Sequence, residues 1–259
     1  MQGYTNATGG APFEIQPFSY YATHLDELGA VLQAHYNRKV DLSTVWSVGD
    51  TMTDISLSAI SASPSQSAQN IDLVILDFNH DTLSSDTSKK AAITVAQLDS
   101  LSASGQMNSN YNSYTYARYT NSPIRSYLNT NYKAALPSDL SSLIKPVNKV
   151  NAYPTNSSNN QTTETTSETC WLASNYEIFG ATYGNYVTVQ DGTQYPYYST
   201  QSNRIKKLGK TGSANGWWSR SGFWYSSDSR AFFVLCYSDG SQSSHYADRS
   251  YGLSPCFAL

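Results

Sequence analysis

Two hydrophobic periods alternate along this chain, and each change of period marks a change of element. From Thr23 the stretch "THLDELGAVLQAHYN" repeats apolar residues every three to four positions, placing Leu25, Leu28, Val31, Leu32 and Tyr36 on one helical face. Thr23 with Asp26 reads as a capping-box-like start. A short amphipathic helix over 23–36 is predicted, docked by that face. Next, "VWSVGDTMTDISLSAI" alternates in period two around a Gly-Asp turn, and "IDLVILDF" (71–78) is a compact apolar run of strand length. The second run predicts a central buried strand.

"NSPIRSYLNTNY" carries Ser122 as an N-cap and Pro123 at the first helical position, with Ile124, Tyr127 and Leu128 on one face. "LPSDLSSLI" repeats the scheme with Ser138 as cap and Leu140, Leu143 and Ile144 inward. Both helices are expected to pack on a sheet. Residues 1–22 show no periodicity and read as a lead-in. Residues 151–169 contain almost nothing apolar, so burial cannot offset the ordering entropy, and a long exposed loop is expected. Near the end, "AFFVLCY" predicts a strand, the Asp-Gly of "SDGS" favours a tight type I′ turn, and "QSSHYA" would return antiparallel. "SPCFAL" closes the chain as a last strand. Short strands, few helices and no βαβ alternation argue for an α+β fold.

Composition narrows the function classes. A length of 259 residues fits either one large domain or a domain with a small N-terminal appendage, and the division expected is residues 1–40 (lead-in and amphipathic helix) and 41–259. Only 14% of residues are charged and the formal net charge is −3, which leaves counterion release on nucleic acid little to work with. No run reaches the roughly 18–20 apolar residues of a membrane span, and "MQGYTNATGGAPFEI" lacks the regions of a secretory signal. A soluble chain without a signal peptide is expected. The cysteines Cys170, Cys236 and Cys256 are three and widely spaced, so buried thiols are expected rather than a disulfide framework. The 21 tyrosines among many Ser, Thr and Asn match the composition of binding loops, where Tyr gives rigid amphipathic area and Ser and Asn adaptable hydrogen bonds.

Catalytic patterns are sparse. The histidines are His24, His35, His80 and His245, and "FNHD" sets His80 beside Asp81, read as a local hydrogen-bonding device. HExxH, CxxC, GxSxG and P-loop patterns do not occur. Asp72, Asp77, Asp81, Glu168, Glu177 and Asp191 read as solvated acids, and "RIKKLGKTG" as a solvated basic face. No run of acids is spaced for calcium, so no metal and no cofactor is expected. The chain is not expected to be an enzyme.

"GWWSRS" (216–221), then "FFV", "SDG" and the terminal "YGLSPCFAL", resemble the WW-x-R-S-P … V-x-x-x-G … G-V-x-P-x-F-x-L signature of a domain-of-unknown-function family of Firmicutes and their phages. "WSVGDT", "VILDFNHDTL", "NSPIRSYLNTNYKAALPSDLSSLIKPVNKV", "ASNYEIFG" and "DGTQYPYYS" resemble successive blocks of it, covering about residues 40–259. Gly222 stands where that family has Pro, which loosens the turn expected there. The ending is similar to the C-type-lectin fold shared by formylglycine-generating enzymes and by the variable proteins of diversity-generating retroelements. The resemblance therefore implies a C-type-lectin-like domain that displays a C-terminal ligand-binding surface, on a phage tail (virion) or bacterial cell surface.

Carried over by position, Trp217, Trp218, Arg220, Gly240, Gly252, Pro255 and Phe257 match scaffold positions. The display candidates between them are Phe223, Trp224, Tyr225, Ser227, Asp228, Tyr237, Ser243, His245, Tyr246, Asp248, Arg249 and Tyr251. Except for Trp224, these are residue types that adenine mutagenesis of Asn codons yields. Phe232, Phe233 and Val234 are assigned to the core. The expected partner is a protein or glycan receptor on a cell surface, with self-association or attachment to a tail protein through the N-terminal region. The rival readings are a fixed structural virion or adhesin domain and a formylglycine-generating type of enzyme, whose chemistry needs two close reactive cysteines.

Overall fold

The computed structural model describes residues 4–5 and 12–259, so the lead-in expected over 1–22 lies partly outside the described residues. The short pair β1 (Tyr4–Thr5) and β2 (Pro12–Phe13) precedes α1 (Leu25–Tyr36). Leu28, Val31, Leu32 and Ala34 of α1 are buried, so the expected face is the docked one. The helix start differs from expectation. His24 is the N-cap and makes no side-chain cap, because Thr23 closes the preceding 3-10 turn (Phe18–Ala22) through its backbone N–H to Tyr20 O.

β3 (Thr51–Leu57), β4 (Gln69–Phe78) and β5 (Ile93–Gln97) pair antiparallel. Leu73, Val74, Ile75 and Leu76 are all fully buried, which explains a continuous apolar run in place of alternation: both faces of β4 are covered. β6 (Gly105–Gln106) follows. α2 (Pro123–Ser126) continues through a π-helical stretch, Tyr127–Tyr132, into α3 (Lys133–Ala135). Ser122 Oγ accepts from Ile124 N at 3.2 Å and Pro123 opens the helix, as the sequence predicts. At α4 (Ser138–Ser141) the cap is Pro137, not Ser138: proline has no N–H to satisfy and holds the extended conformation a cap requires. Leu140 and Ile144 still point inward.

The largest departure is at 151–169. β7 (Val147–Pro154) and β8 (Gln161–Glu168) form an eight-pair antiparallel ladder where a loop is expected. β7 supplies apolar burial through Val147 and Ala152, both fully buried, whereas the polar β8 is held by other means. Threonine favours the pleated surface, and the side chains of β8 are tied to other segments: Glu164 receives Arg118, Glu168 receives Arg125, and Thr166 receives Asn151.

β9 (Cys170–Leu172), α5 (Asn175–Phe179), β10 (Lys206–Lys207) and β11 (Ala214–Asn215) lead to β12 (Trp217–Tyr225), β13 (Arg230–Cys236) and β14 (Gln242–Tyr246), then β15 (Ser250–Tyr251) and β16 (Pro255–Ala258). Gly222 lies within β12, not in a turn. The five-stranded sheet has the order β3-β4-β5-β16-β9, so the chain's last strand enters its interior, and β12-β13-β14 form a separate antiparallel sheet. The β13–β14 turn is also not type I′. Gly240 alone has positive φ there, and Gly240 N bonds Tyr237 O while Tyr237 N bonds Ser241 O, a three-residue loop closed by glycine.

One core is continuous from Ile15 to Leu259 and runs across residue 40. Tyr36 of α1 binds the far end of the chain: its hydroxyl donates to Leu259 O at 2.9 Å and accepts from Ala92 N at 3.0 Å. The architecture is α+β with mostly antiparallel strands. Among the described residues no helix is long and apolar enough to cross a membrane.

Candidate ligand-binding surface

The register of β13 divides the C-terminal aromatics between two faces. Phe232 stands opposite Phe223 and Tyr246, whereas Phe233 stands opposite Gly222 and His245. Side chains alternate along a strand, so Trp224, Ala231, Phe233 and Leu235 turn inward to the main core. The outer face receives Phe223, Tyr225, Phe232, Val234, Ser244 and Tyr246.

On that outer face the rings form a continuous band. Tyr186 stacks on Phe223 at 5.0 Å and meets Tyr225 edge-on at 5.5 Å. Phe232 stacks on Phe223 at 5.2 Å, contacts Tyr225 at 5.5 Å and Tyr246 at 4.5 Å. Tyr246 and Tyr111 lie 6.0 Å apart, and the Arg230 guanidinium sits over both. Tyr183 adds a ring at 5.6 Å from Tyr186, with its hydroxyl 3.2 Å from Ser244 Oγ. Phe223 is the floor of the band and the others present ring surface to solvent.

The display candidates do not form one patch. Phe223 is 1% exposed and Trp224 6%, so neither reaches a ligand. Phe223 is covered by Tyr186, and Trp224 faces the core by the pleat. Tyr225 and Tyr246 belong to the outer band, with Ser227 and Asp228 exposed in the turn beside it. Ser243 and His245 point to the opposite face, where His245 lies 5.7 Å from Tyr251 and Tyr251 packs on Trp218 at 5.0 Å. Burial, then the positive charge of Arg249, lower the His245 pKa. Asp248 is half-buried and Arg249 exposed. Tyr237 is 42% exposed in the loop at the other end of β13. Phe233 and Val234 are buried as expected, but Phe232 is half-buried on the band. Tyr111, Tyr183, Tyr186 and Arg230 are band residues that the sequence reading misses. Strict alternation along β13 would have separated Phe232 from Phe233.

Beneath this sheet lies a buried ionic network, which corrects the reading of the acids as solvated. Arg220 donates to Glu177 through both terminal nitrogens, to Asn151 Oδ1, and to the carbonyls of Leu172, Val150 and Asp191. Lys149 joins Glu177 to Asp81 at 2.5 Å each, and Asp81 also accepts from Thr94 and Tyr195. Asp81, Glu168, Glu177 and Asp191 are all buried. Burial raises the Asp191 pKa against the pull of Arg220 and of its hydrogen bond from Ser221. His80 pairs with Asp77 at 2.7 Å and not with Asp81. In the basic segment Lys206 is buried and Lys210 bridges Asp54 and Asp72, so that face is not simply solvated.

The scaffold positions Trp217, Trp218, Arg220, Pro255 and Phe257 are buried; Gly240 and Gly252 fill sites where a Cβ would meet Gln201 O at 2.4 Å and Ser100 Oγ at 2.4 Å. All three thiols are free and buried, with burial pushing Cys236 and Cys256 up to about 12 and Cys170 higher still. Such thiols stay protonated near neutral pH and are poor nucleophiles. Among the described residues no three His, Cys, Asp or Glu side chains converge as metal ligands. An open cleft of about 830 Å³ is built from other elements, the end of α1 and the 79–90 loop, and is lined by Arg38, Lys39, Lys89 and Lys90.

A family model described as "Domain of unknown function (DUF6273)" matches residues 85–259. No curated protein and no solved structure matches the chain.

Proposed function

The chain belongs to the DUF6273 family, and we propose that its role is ligand binding through the outer face of the β12–β14 sheet. The observation that carries this is the band itself: half-exposed rings of Tyr111, Tyr186, Tyr225, Phe232 and Tyr246 in mutual contact, edged by Ser227, Asp228 and Ser244. Contiguous aromatic area rimmed by small polar groups is the composition of binding hot spots, and monomers seldom leave it uncovered without use. The band is mounted on a strand whose inner face is locked by Arg220 and the tryptophans. Contacts can then change on the outside without loss of the fold.

The finer reading is a C-type-lectin-like domain on a phage tail or bacterial surface, whose ligand is a protein or glycan receptor. Supporting it are the insertion of the C-terminal strand into the main sheet and the separate three-stranded sheet carrying the display loops. On this reading retroelement diversification acts at exposed and half-exposed positions such as Tyr225, Ser227, Asp228, Tyr246 and Arg249, and burial excludes Phe223 and Trp224.

The test is retention of fluorescently labelled protein on intact bacterial cells and on an immobilised panel of their surface glycans. A Tyr225→Ala/Tyr246→Ala double variant with an unchanged circular dichroism spectrum is run beside it. Retention of the wild type and a tenfold or greater loss in the variant are expected. Equal retention of both, or none by either, overturns the proposal.

A further inference from the structure

The aromatic band contains a cation whose hydrogen-bonding capacity the protein leaves unused. Arg118, Arg125 and Arg220 each bind a carboxylate, and Arg204 binds the carbonyls of Gly240 and Tyr198. Arg230 differs. Among the described residues none accepts a hydrogen bond from its side chain or lies at ion-pair distance, and the guanidinium's contacts are two rings, Tyr111 at 4.8 Å and Tyr246 at 4.7 Å. Those ring centroids are 6.0 Å apart, so the guanidinium rests over the seam between the rings instead of being sandwiched. The guanidinium is half-buried against the two rings, and among the described residues no protein acceptor meets its N–H groups.

The adjacent acid does not quench it. Asp228 Oδ2 accepts from the Tyr246 hydroxyl at 3.1 Å. Stacking on aromatic faces fixes the orientation of a guanidinium and so lowers the entropy cost of each bond its fork then makes. A fork with parallel N–H groups matches the two oxygens of a carboxylate.

Resting on the ligand-binding reading above, we infer that Arg230 receives the carboxylate of an acidic sugar whose ring lies on the neighbouring aromatic faces. Both halves of such a ligand have counterparts here. Its carboxylate meets Arg230, its C–H face meets the half-exposed rings of Phe232 and Tyr225, and its hydroxyls meet Asp228 and Ser244. Asp228 selects against a polymer dense in negative charge, because a carboxylate at the rim repels anions yet accepts well from sugar hydroxyls.

The experiment uses the full chain against immobilised uronic-acid and nonulosonic-acid oligosaccharides, each beside its carboxyl-reduced neutral counterpart, with acidic peptides as a third arm. Wild type, Arg230→Gln, Arg230→Lys and Tyr225→Ala are compared after thermal melting shows all four folded. The wild type is expected to bind at least one acidic sugar tenfold or more tightly than its neutral form. Arg230→Gln should abolish that discrimination, and Arg230→Lys should restore only part of it, since an ammonium lacks the fork. Equal binding of acidic and neutral sugars, retained discrimination in Arg230→Gln, or Arg230-dependent capture of acidic peptides alone overturns the inference. Retention on cells separates the two levels. Loss in Tyr225→Ala with none in Arg230→Gln sinks only the carboxylate inference, whereas no loss in either sinks the binding surface itself.

Discussion

Arg220 and Glu177 form a two-point ion pair wholly out of water, with Nη1 2.6 Å from Oε2 and Nη2 2.9 Å from Oε1. The pair links β12 to α5, and Lys149 on β7 touches the same carboxylate. Three elements that are distant in sequence thereby meet at one carboxyl group. Removing one partner of such a pair leaves a buried charge uncompensated, at a cost of about 3–5 kcal/mol. Glu177→Gln is expected to lose that much in urea unfolding, and Arg220→Lys to lose a comparable amount because it cannot reproduce the fork. A change under 1 kcal/mol in either would show that the network is not what fixes the sheet.

Acid should weaken the same link. Burial alone would raise the Glu177 pKa, but the charges of Arg220 and Lys149 outweigh it and hold the carboxyl at about 2. A carboxyl depressed on folding contributes stability that is present above its unfolded value, about 4.3, and is lost as pH falls through the folded one. The stability difference between wild type and Glu177→Gln is therefore expected to be constant from pH 7 to 5 and to shrink between about 4.3 and 2. Urea midpoints of the two proteins across that range check it, and a pH-independent difference would refute it.

Lys206 should act at the other end of the scale. Its Nζ donates to Gln97 O at 3.0 Å and Leu98 O at 2.7 Å with the Trp217 ring at 5.2 Å, and burial pushes its pKa down to about 8. Between pH 8 and about 10 the unfolded chain holds the proton more firmly than the folded one, so this site's contribution rises with pH. The stability of wild type relative to Lys206→Met is expected to grow by roughly 2 kcal/mol over that interval. A relative stability that falls or stays level would place the ammonium in a wetter setting.

What the sequence discloses and what it hides follow one physical division. The strand around Leu73–Leu76, the Ser122 cap with Pro123, and the β13–β14 hairpin are written in neighbouring residues, so local pattern finds them. The polar strand β8 is tied down by Arg118 and Arg125, which lie 46 and 43 positions from their acids, and no local period signals it. The same holds for the buried acids, whose cations Lys149 and Arg220 come from other elements. In the candidate site, composition singles out the β13–β14 hairpin but not which side of it carries the exposed rings. "AFFV" offers two adjacent phenylalanines, and only the register around Gly222, where a Cβ would stand 1.8 Å from Ala117 O, decides which faces outward. Tyr111 and Tyr186 complete the band from segments that carry no hairpin signal.

That side-of-strand division gives the most direct test of the surface. Phe223 and Tyr225 are two residues apart on one strand and share the outer face, yet Phe223 is sealed beneath Tyr186 and Phe232 while Tyr225 is half-exposed. Truncating a buried Phe removes transfer energy and leaves a cavity, about 3–5 kcal/mol together. Truncating a half-exposed Tyr at a sheet edge removes partial burial and ring contacts worth about 0.5–1.5 kcal/mol. Phe223→Ala is thus expected to lower the urea midpoint strongly, whereas Tyr225→Ala lowers it slightly and loses retention on the ligand. If instead Phe223→Ala folds as well as wild type and alone abolishes binding, Phe223 is the contact residue, and the band must open to expose it.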